Sequence, residues 1–335
     1  MSEEAALRTA PDGPPRGLPD GAEPAVTVLV VSYNTREITL AALRSALAET
    51  SAPMELIVVD NASADGSADA IAREIPQARL IRLAENIGFG RANNLGARQA
   101  RGRYLLLLNP DTVVLEGAID RLLAFAQARP EARIWGGQTL YGDRTLNPTN
   151  CYRRLSLWNL FCRSTGLSAL FPASPVLNSE LYGGWKRDTE RAVDVITGCF
   201  LLIERSFWEA LGGFEPAFFM YGEETDLCLR ARAQGARPRV TPQARIIHYG
   251  GASEKVRAQK VIRLFTAKVE LIRRHFPPAT RWLALGLFAA WPLIRVLALS
   301  VLARLRPSPA RAEALANWRA VWQARGTWLK GYAPA

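Results

Sequence analysis

Asn109, Pro110 and Asp111 follow an apolar run, Tyr104–Leu108, whose length and composition predict a buried parallel strand. Because proline has no amide donor and disfavours helix in the residue before it, the strand must end at this corner. Asp111 would then lie at the carboxyl end of a central strand, where open α/β sheets place ligands. A carboxylate with an asparagine two residues before it suits a divalent cation that carries a diphosphate. Alternatively, Asp111 caps a helix predicted near residues 116–127.

A second acid, Asp60, follows the apolar run Met54–Val59 and precedes Asn61. Its carboxylate can accept a hydrogen bond from a pyrimidine imide or a ribose hydroxyl. An acid at the end of a strand also forms turns, so this position alone is ambiguous. Its value as a candidate therefore depends on which other polar residues lie beside it.

The first apolar run, Val26–Val31, also ends in polar residues, which are Ser32, Tyr33 and Asn34. Strands that alternate with helical patterns at this spacing predict βαβ units and a parallel sheet. Right-handed crossovers would bring residues 32–34, 60–61 and 109–111 to one edge of that sheet. The sequence therefore predicts a nucleotide pocket there, with one carboxylate for the nucleoside and one for the cation on its phosphates.

Three acids, Glu223, Glu224 and Asp226, open a predicted helix after an aromatic and glycine-containing segment. Acids in the first turn of a helix are favoured by the helix dipole, so any one of them has a structural explanation. Three together exceed what a cap needs, and one of them is a candidate general base. Asp226 is predicted to bond either to the backbone or to Arg230, four residues further along the helix.

Asn86 and Gly88 open another predicted helix, which carries Asn93. The run Gly88-Phe89-Gly90 is not a GxGxxG fingerprint, and no P-loop lysine follows it, so a dinucleotide or P-loop site is not predicted. A sugar-nucleotide pyrophosphorylase is also disfavoured, because no glycine-rich loop with a basic residue follows the first strand.

Gly198 and His248 are candidates in the second half of the chain. Thr197 and Gly198 interrupt an apolar strand predicted for Val193–Ile203, and a glycine there lets a ligand approach the backbone. His248 follows the apolar strand Ala244–Ile247. A single histidine often has a structural role, but its place at a strand end beside glycines favours contact with a metal or a phosphate.

The motifs named above occur in consistent order between residues 26 and 252, as Val-Ser-Tyr-Asn34, Val-Val-Asp-Asn-Ala-Ser63, Asn86-Ile-Gly-Phe89, Leu-Asn-Pro-Asp111 and Phe-Phe-Met-Tyr-Gly-Glu-Glu-Thr-Asp226. They resemble those of family 2 inverting glycosyltransferases, most closely the bacterial rhamnosyltransferase-like branch. The resemblance implies a GT-A fold, which is a Rossmann-like, mostly parallel sheet with helices on both faces. It further implies a metal-dependent transfer of a sugar from a nucleotide-sugar donor to a hydroxyl group.

The resemblance also implies roles for individual residues. Asp60 matches the acid that contacts the base, and Asp111 matches the last acid of a DxD-like motif that binds Mg²⁺ or Mn²⁺. His248 resembles a late contact to the metal or the diphosphate. Glu224 matches the catalytic base, but the family often has aspartate there, and the longer glutamate leaves Glu223 open as the base. The nucleotide-sugar-binding candidates are Ser32, Tyr33, Asn34, Asp60, Asn61, Asn86, Gly88, Asn93 and Asn109, and the acceptor-side or structural candidates are Gly198 and Asp226.

The net charge of +11 is concentrated in the last 85 residues, which contain 15 Lys and Arg but only three Asp and Glu. The same segment holds five of the nine tryptophans, a combination typical of binding to an anionic membrane surface. No nucleic-acid-binding motif is evident. An apolar stretch, Trp282–Leu302, has the length of a bilayer span. Because Arg281, Arg295 and Arg306 share one face, a helix lying on the membrane is favoured over a span; packing on the catalytic domain is the alternative.

The predicted organisation is a disordered leader at 1–24, a GT-A domain at 25–253 with halves at 25–130 and 131–253, and a basic helical tail at 254–335. Residues 141–192 lack periodicity and are predicted to form a mobile acceptor loop. The leader lacks the features of a secretory signal, and the four cysteines form no CxxC pair. A cytoplasmic protein with reduced thiols, peripheral to the inner face of the membrane, is therefore expected.

The expected function is transfer of L-rhamnose from dTDP-rhamnose to a lipid-linked or polysaccharide acceptor in cell-surface glycan synthesis. A UDP- or GDP-sugar donor is the alternative among enzymes, because the loops that select the donor cannot be read from motif spacing. A non-catalytic, nucleotide-sugar-binding scaffold is the alternative outside enzymes. The presence of both Asp111 and Glu224 disfavours the scaffold.

Overall fold

The computed structural model describes residues 7–9, 23–250 and 257–332. Its strands are β1 Leu7–Thr9, β2 Val26–Ser32, β3 Met54–Asp60, β4 Arg79–Leu83, β5 Tyr104–Leu108, β6 Thr112–Leu115, β7 Ile134–Leu140, β8 Leu146–Asn147, β9 Cys151–Tyr152, β10 Arg191–Ala192, β11 Val195–Ile196, β12 Phe200–Glu204 and β13 Arg239–His248. Its α-helices are α1 Arg36–Ala48, α2 Ser67–Glu74, α3 Phe89–Ala97, α4 Ala118–Ala128, α5 Leu157–Thr165, α6 Leu167–Leu170, α7 Arg205–Leu211, α8 Glu223–Ala233, α9 Arg257–His275, α10 Pro278–Leu305, α11 Pro309–Gln323 and α12 Arg325–Trp328. Short 3₁₀ helices occupy Pro130–Ala132 and Pro148–Asn150.

The first half of the main sheet is parallel, as the alternation of strands and helices predicts. Strands β4, β3, β2 and β5 are neighbours in that order and run in the same direction. Ser32 and Asp60 are paired in register at the ends of β2 and β3. The predicted edge is therefore confirmed, since the carboxyl ends of these strands lie side by side.

Strands β2 and β5 are buried along their whole length because helices cover both faces of the sheet. On one face, leucines and isoleucines of α1, α2 and α4 pack against alternate residues of the strands. On the other face, α3 approaches so closely that a Cβ on Gly96 would lie 2.3 Å from a methyl carbon of Leu29. Full burial of each such Leu, Ile or Val side chain contributes about 1.5–3 kcal/mol.

The second half of the sheet is mixed. Strand β12 lies between β5 and β7 and is antiparallel to both, whereas β13 is parallel to β7. Strand β6, directly after Asp111, pairs with β13 in antiparallel fashion and places Thr112 opposite His248. The alternative role of Asp111 as a helix cap is therefore wrong, because β6 intervenes and α4 starts only at Ala118 without a side-chain cap.

The leader predicted to be disordered is described only in part. Leu7–Thr9 form an edge strand, antiparallel to β4, so these three residues differ from the expectation. Residues 1–6 and 10–22 lie outside the described residues, and their disorder stays a prediction. The described backbone begins again at residue 23.

The chain divides into two compact units. The first comprises Met1–Tyr152, Lys186–Phe219 and Glu223–Ser253, and it contains the main sheet. The second, hereafter the C-terminal unit, comprises Arg153–Trp185, Met220–Gly222 and Glu254–Ala335. Part of the segment expected to be a mobile acceptor loop folds as helices α5 and α6, and α5 packs with α10 of the basic tail.

The C-terminal unit has an aromatic core of its own. Phe265 of α9 packs with Phe288 and Trp291 of α10, at ring-centroid distances of 4.7 and 5.0 Å, and Trp328 is fully buried beside them. Among the residues that the structure describes, α10 is the one helix long and apolar enough to cross a membrane by length and composition. Only 11% of its most apolar stretch is buried.

All four cysteines are buried free thiols, as predicted for reduced cysteines. Burial raises the pKa of Cys151 to about 11 and that of Cys228 to about 12, and it also raises the pKa of Cys162. These three thiols therefore stay protonated at neutral pH.

Candidate active site

Asn61 fastens the ends of the parallel strands to the start of α3. Its side-chain amide donates to Asn86 Oδ1 at 2.9 Å, and its Oδ1 accepts from the amide of Ile87 at 3.0 Å. Asn86 Oδ1 also accepts from the amide of Gly88. Asn61 and Asn86, both predicted to bind the nucleotide-sugar, therefore position the loop before α3.

Asp60 has a carboxylate oxygen that is ready for a ligand. The side chain is 3% exposed, and Oδ2 accepts from the amide of Ser63 at 3.1 Å, which is the predicted turn interaction. Oδ1 is buried and has no hydrogen-bond partner within the described part of the chain. A buried acceptor without a partner is costly, so a donor group of a bound nucleoside would stabilise it.

Two other predicted ligand contacts are occupied within the protein. Ser32 is fully buried, and its hydroxyl lies 3.1 Å from the hydroxyl of Thr39. Asn93 is 1% exposed, and its amide donates to the carbonyl of Phe89 in its own helix. Their positions indicate structural roles, because ligand atoms would have to displace bonds that already satisfy these groups.

Tyr33 and Asn34 lie in the loop after β2. Tyr33 is 38% exposed and is therefore accessible to a ligand. Asn34 has a positive φ of 53°, and its Oδ1 accepts from the amide of Ala64 at 2.7 Å while its own amide donates to Ser63 Oγ. Asn34 thus ties the first loop to the second, and Tyr33 is the more accessible of the two side chains.

Gly88 has no room for a side chain. Its φ is +87°, and a Cβ would lie 2.4 Å from the carbonyl oxygen of Phe219, which also accepts from the amide of Phe89. Gly88→Ala should lower the free energy of unfolding by about 2–6 kcal/mol, since backbone strain of about 1–3 kcal/mol adds to overpacking of about 1–3 kcal/mol.

The matched control is Gly212→Ala, at φ +75° with no atom within 4 Å of its Cβ, which adds backbone strain of about 1–2 kcal/mol alone. Urea unfolding of both variants checks the comparison. Equal losses in the two variants would mean that the contact with Phe219 is unimportant.

Asp111, Asn109 and His248 converge at the end of β5. His248 Nε2 lies 3.3 Å from Asp111 Oδ1 and 3.3 Å from Asn109 Nδ2. The amide of Tyr249 donates to the backbone carbonyl of Asp111 at 3.1 Å, which joins the ends of β5 and β13. The predicted association of Asp111 with His248 is thus present, although 137 residues separate them in sequence.

The Asp111–His248 pair fits a divalent cation. Ligand atoms about 2.1 Å from Mg²⁺ at right angles are about 3.0 Å apart, close to the separation of Asp111 Oδ1 and His248 Nε2. No group of three or more His, Cys, Asp or Glu side chains that could hold a metal occurs among the described residues. Mg²⁺ is commonly bound by one or two protein groups and substrate phosphates, so two protein ligands suffice when a diphosphate supplies others.

The charges of this pair support each other. Burial acts to raise the pKa of Asp111, but the hydrogen bond to His248, the charge of His248 and backbone hydrogen bonds together outweigh burial, so the net pKa is lowered. Burial likewise opposes protonation of His248, but Cys199 and Asp111 favour it and raise the pKa of His248 to about 10. The two groups therefore favour each other's charged form, and a cation on the imidazole nitrogen would require loss of its proton.

Glu223 and Glu224 occupy different environments at the start of α8. Glu223 is 4% exposed, and a Cβ on Gly90 would lie 3.7 Å from its Cβ. Burial, and the neighbouring charge of Glu224, raise the pKa of Glu223 well above its usual range. Glu224 is partly exposed and faces Gly198, where a Cβ would lie 3.9 Å from that of Glu224.

Asp226 forms the predicted ion pair with Arg230, at 2.7 Å. The guanidinium also donates to the carbonyl oxygens of Leu211 and Gly213, at 2.7 and 2.8 Å. Asp226 and Arg230 thereby fix α8 to the turn after α7. Their role is to position the helix that carries Glu224.

Sequence reasoning missed the role of Asn94. Its side chain makes two hydrogen bonds to the backbone of Phe214, donating to the carbonyl at 2.7 Å and accepting from the amide at 2.8 Å. Asn94 therefore joins α3 to the Gly212-Gly213-Phe214 turn across 120 positions. The repeated Asn93-Asn94 motif was the available signal, but nothing local distinguished which of the two makes the long-range bonds.

Thr197, Gly198 and Cys199 connect the parts of the site. Gly198 lies beside Phe89 and Glu224. A Cβ added to Gly198 would be 3.5 Å from a ring carbon of Phe89. The carbonyl of Cys199 accepts from the amide of Asn109 at 3.1 Å. The segment thus lies between the candidate base and the Asp111–His248 pair, as a reaction between a diphosphate-linked sugar and a hydroxyl requires.

Residues 27–210, more than half of the chain, match the sequence profile of Glycosyl transferase family 2. The chain is 27% identical over 278 residues to the O-antigen biosynthesis protein RfbC of Myxococcus xanthus. This alignment covers 80% of this chain but only 19% of RfbC. It is 27% identical over 234 residues to the N-acetylglucosaminyl-diphospho-decaprenol L-rhamnosyltransferase of Mycobacterium tuberculosis, covering 66% of this chain and 75% of that protein.

Solved structures share the fold. The mannosyltransferase PcManGT of Pyrobaculum calidifontis, in complex with GDP-Man and Mn²⁺, superimposes with a TM-score of 0.55 at 20% identity, covering 95% of this chain and 87% of that one. TarS 1–349 of S. aureus, in complex with UDP-GlcNAc, gives 0.50 at 15% identity, covering 90% of this chain and 91% of that one. Relatives that include rhamnosyltransferases are similar to this chain, and the profile matched over more than half of its length establishes that the chain belongs to glycosyltransferase family 2.

Proposed function

We propose that the protein is a metal-dependent, inverting glycosyltransferase that transfers L-rhamnose from dTDP-L-rhamnose to a hydroxyl of a lipid-linked or polysaccharide acceptor in cell-surface glycan synthesis. The observation that carries the chemistry is the position of Gly198 and Cys199 between Glu224 and the Asp111–His248 pair. The proposed sugar and acceptor rest on the relative named for L-rhamnose transfer to a decaprenol-linked sugar.

In this proposal Asp60 accepts a hydrogen bond from the nucleoside through its free Oδ1. Asp111 and His248 hold the divalent cation, which when bound would offset the negative charge of the departing nucleoside diphosphate. Tyr33 lies on the same edge of the sheet and is exposed enough to border the donor. The remaining predicted polar residues position these groups.

Glu224 is the proposed base. It removes the proton of the acceptor hydroxyl as the oxygen attacks the anomeric carbon, and the bond from that carbon to the diphosphate breaks. One displacement of this kind inverts the anomeric centre. Glu224 is favoured over Glu223 because Glu224 is partly exposed beside Gly198, whereas Glu223 is buried and its raised pKa favours the neutral carboxyl.

We further propose that the enzyme works at the cytoplasmic face of the membrane. The basic, tryptophan-rich tail and the sparsely buried apolar helix α10 support this location. A lipid-linked acceptor would be presented at that surface.

The test is a donor and acceptor screen of the full-length protein. Release of nucleoside diphosphate would be measured from dTDP-rhamnose, UDP-sugars and GDP-sugars, with prenyl-diphosphate-linked N-acetylglucosamine as acceptor, and with Mn²⁺ or EDTA. We expect acceptor-dependent release from dTDP-rhamnose that EDTA abolishes, and a product whose anomeric configuration is inverted by NMR. Release from another donor only would reassign the sugar, and turnover in EDTA would refute the metal dependence.

A further inference from the structure

Exposed apolar side chains are concentrated in the C-terminal unit. Of the 15 large apolar residues that are exposed in the described parts of the chain, 11 belong to this unit, which holds about a third of the residues. They are Trp158, Phe161, Leu170, Phe171, Val176, Trp282, Leu283, Leu297, Val301, Leu302 and Leu305. Apolar surface concentrated in this way marks an interaction site.

Helix α10 contributes the first patch. Ala284, Phe288 and Pro292, spaced four residues apart, are buried on one side of the helix. Trp282 and Leu305, at 70% and 74% exposure, lie on the outward side with other apolar residues. The helix is therefore apolar on its outward side as well as its inward side.

Arg295 lies on the packed side of α10. Its guanidinium donates to the carbonyl of Arg163 in α5 at 3.4 Å, within the same unit. Burial, and the nearby charge of Arg163, lower the pKa of Arg295. The face of α10 that carries Arg295 is therefore packed within the unit, and the outward face is apolar.

Helices α5 and α6 contribute the second patch. The rings of Trp158 and Phe161 stack at a centroid distance of 5.8 Å. The indole of Trp158 donates to the carbonyl of Val176 at 2.9 Å, which joins the loop after α6 to the same patch. Leu170 and Phe171, at the end of α6, are 72% and 50% exposed.

The two patches belong to neighbouring helices. Ser164 of α5 bonds to the backbone carbonyl of Leu287 in α10, so the helices pack directly against each other. A cluster of charges supports α5 from within, because the buried Glu180 pairs with Arg163 and Lys268 at 2.7 Å each. The unit thus has a buried charge cluster beside α5, in addition to its aromatic core, and further aromatic residues exposed on its surface.

The charge of the unit identifies what covers these patches. The last 85 residues, which make up most of this unit, carry 15 Lys and Arg against three Asp and Glu, so two copies of the unit would repel each other. Anionic lipid headgroups complement this charge, and tryptophan is enriched at the boundary between headgroups and acyl chains. A lipid bilayer therefore fits both the charge and the apolar residues.

We propose that the Trp158–Phe161 patch, including Leu170, Phe171 and Val176, inserts into an anionic bilayer together with helix α10. The inference rests on the proposed membrane association and adds a second membrane-binding element to it. This element lies in the segment 141–192, which the sequence analysis predicted to form an acceptor loop. The membrane contact is then made by two distant segments of the chain rather than by its tail alone.

The test is flotation of the full-length protein with vesicles of phosphatidylcholine alone, or with about 30% phosphatidylglycerol. We expect binding to the anionic vesicles, and at least about a tenfold lower partition coefficient for W158S/F161S, since loss of about 1.4 kcal/mol is tenfold. Tyr141→Ser, which removes an aromatic residue 43% exposed in the first unit, is the matched control and should bind like the parent.

Leu170→Ser/Phe171→Ser is the second variant, because it leaves the Trp158 indole bond intact if the first variant fails to fold. Normal binding by folded variants of this patch, with loss of binding in Leu297→Ser/Val301→Ser, would overturn the inference but leave the tail as a membrane anchor. No vesicle binding by the parent would overturn the membrane association as well. Glycosyl transfer to a soluble acceptor reports on the enzyme separately, so the three failures are distinguishable. If the parent forms dimers in buffer without vesicles, and W158S/F161S is monomeric there, the patch would be assigned to self-association instead.

Discussion

Glu224→Gln should lower glycosyl transfer by about 10²–10⁴-fold, the range that a positioned general base contributes. Glutamine keeps the shape of the side chain but cannot take a proton from the acceptor hydroxyl. Donor binding should change little, because Asp60 and the Asp111–His248 pair are untouched. Turnover and calorimetric donor titration measure the two effects, and transfer within about threefold of the parent would exclude Glu224 as the base.

Glu223→Gln is the matched control for this substitution, with a different expected result. Burial and the adjacent Glu224 raise the pKa of Glu223 well above its usual range, which favours the neutral carboxyl in the folded protein. Glutamine is a neutral substitute of nearly the same size, and transfer should stay within a few-fold of the parent. A loss as large as that of Glu224→Gln would make Glu223 the base.

The Glu223→Gln variant should also differ from the parent in how its stability depends on pH. Because the pKa of Glu223 is higher in the folded than in the unfolded protein, the folded state binds more protons, and stability falls as pH rises above the unfolded value of about 4.5. Glutamine removes this loss. The melting temperature of Glu223→Gln relative to the parent should therefore rise between pH 5 and pH 8, and a constant difference would show that Glu223 is ionised in the fold.

Asp111→Asn should lower transfer by at least about 10²-fold, since loss of a partner that only orients a metal ligand already lowers affinity or activity by 10–100-fold. The carboxamide is a poorer cation ligand and carries no charge. Donor affinity should consequently lose its dependence on Mn²⁺, as measured by titration in Mn²⁺ and in EDTA.

Asp120→Asn controls for the loss of a carboxylate that accepts backbone hydrogen bonds, because Asp120 accepts from the amides of Ser51 and Ala52. It should keep both transfer and the Mn²⁺ dependence. Persisting Mn²⁺ dependence in Asp111→Asn, with the fold intact by circular dichroism, would show that another group holds the cation.

The parallel half of the fold was predictable because each strand is a local property of the sequence. The runs before Ser32, Asp60 and Asn109 consist almost wholly of Val, Leu and Ile, and each ends in residues that stop a strand. The chirality of βαβ crossovers then places these ends together. The positions of Asp60 and Asp111 at one edge followed from these rules alone.

The rest depended on partners distant in sequence. Nothing local indicates that β12 inserts antiparallel beside β5, or that α5 packs against the tail. Ser32 and Asn93 match the family pattern, yet their hydrogen bonds to Thr39 and Phe89 show that residues of a motif can be bonded within the protein itself. Arg295 misled for a related reason, since a helical wheel shows which residues share a face but not which face is packed.

Because its native thiols are buried, the protein is suited to labelling at a single introduced cysteine. Because all four thiols are buried, and three have raised pKa values, maleimide reagents should ignore them in the native protein. A single reporter cysteine at an exposed position, such as 161 or 297, could then be labelled without first removing the native ones. Its fluorescence would report the depth of each patch in a bilayer, residue by residue.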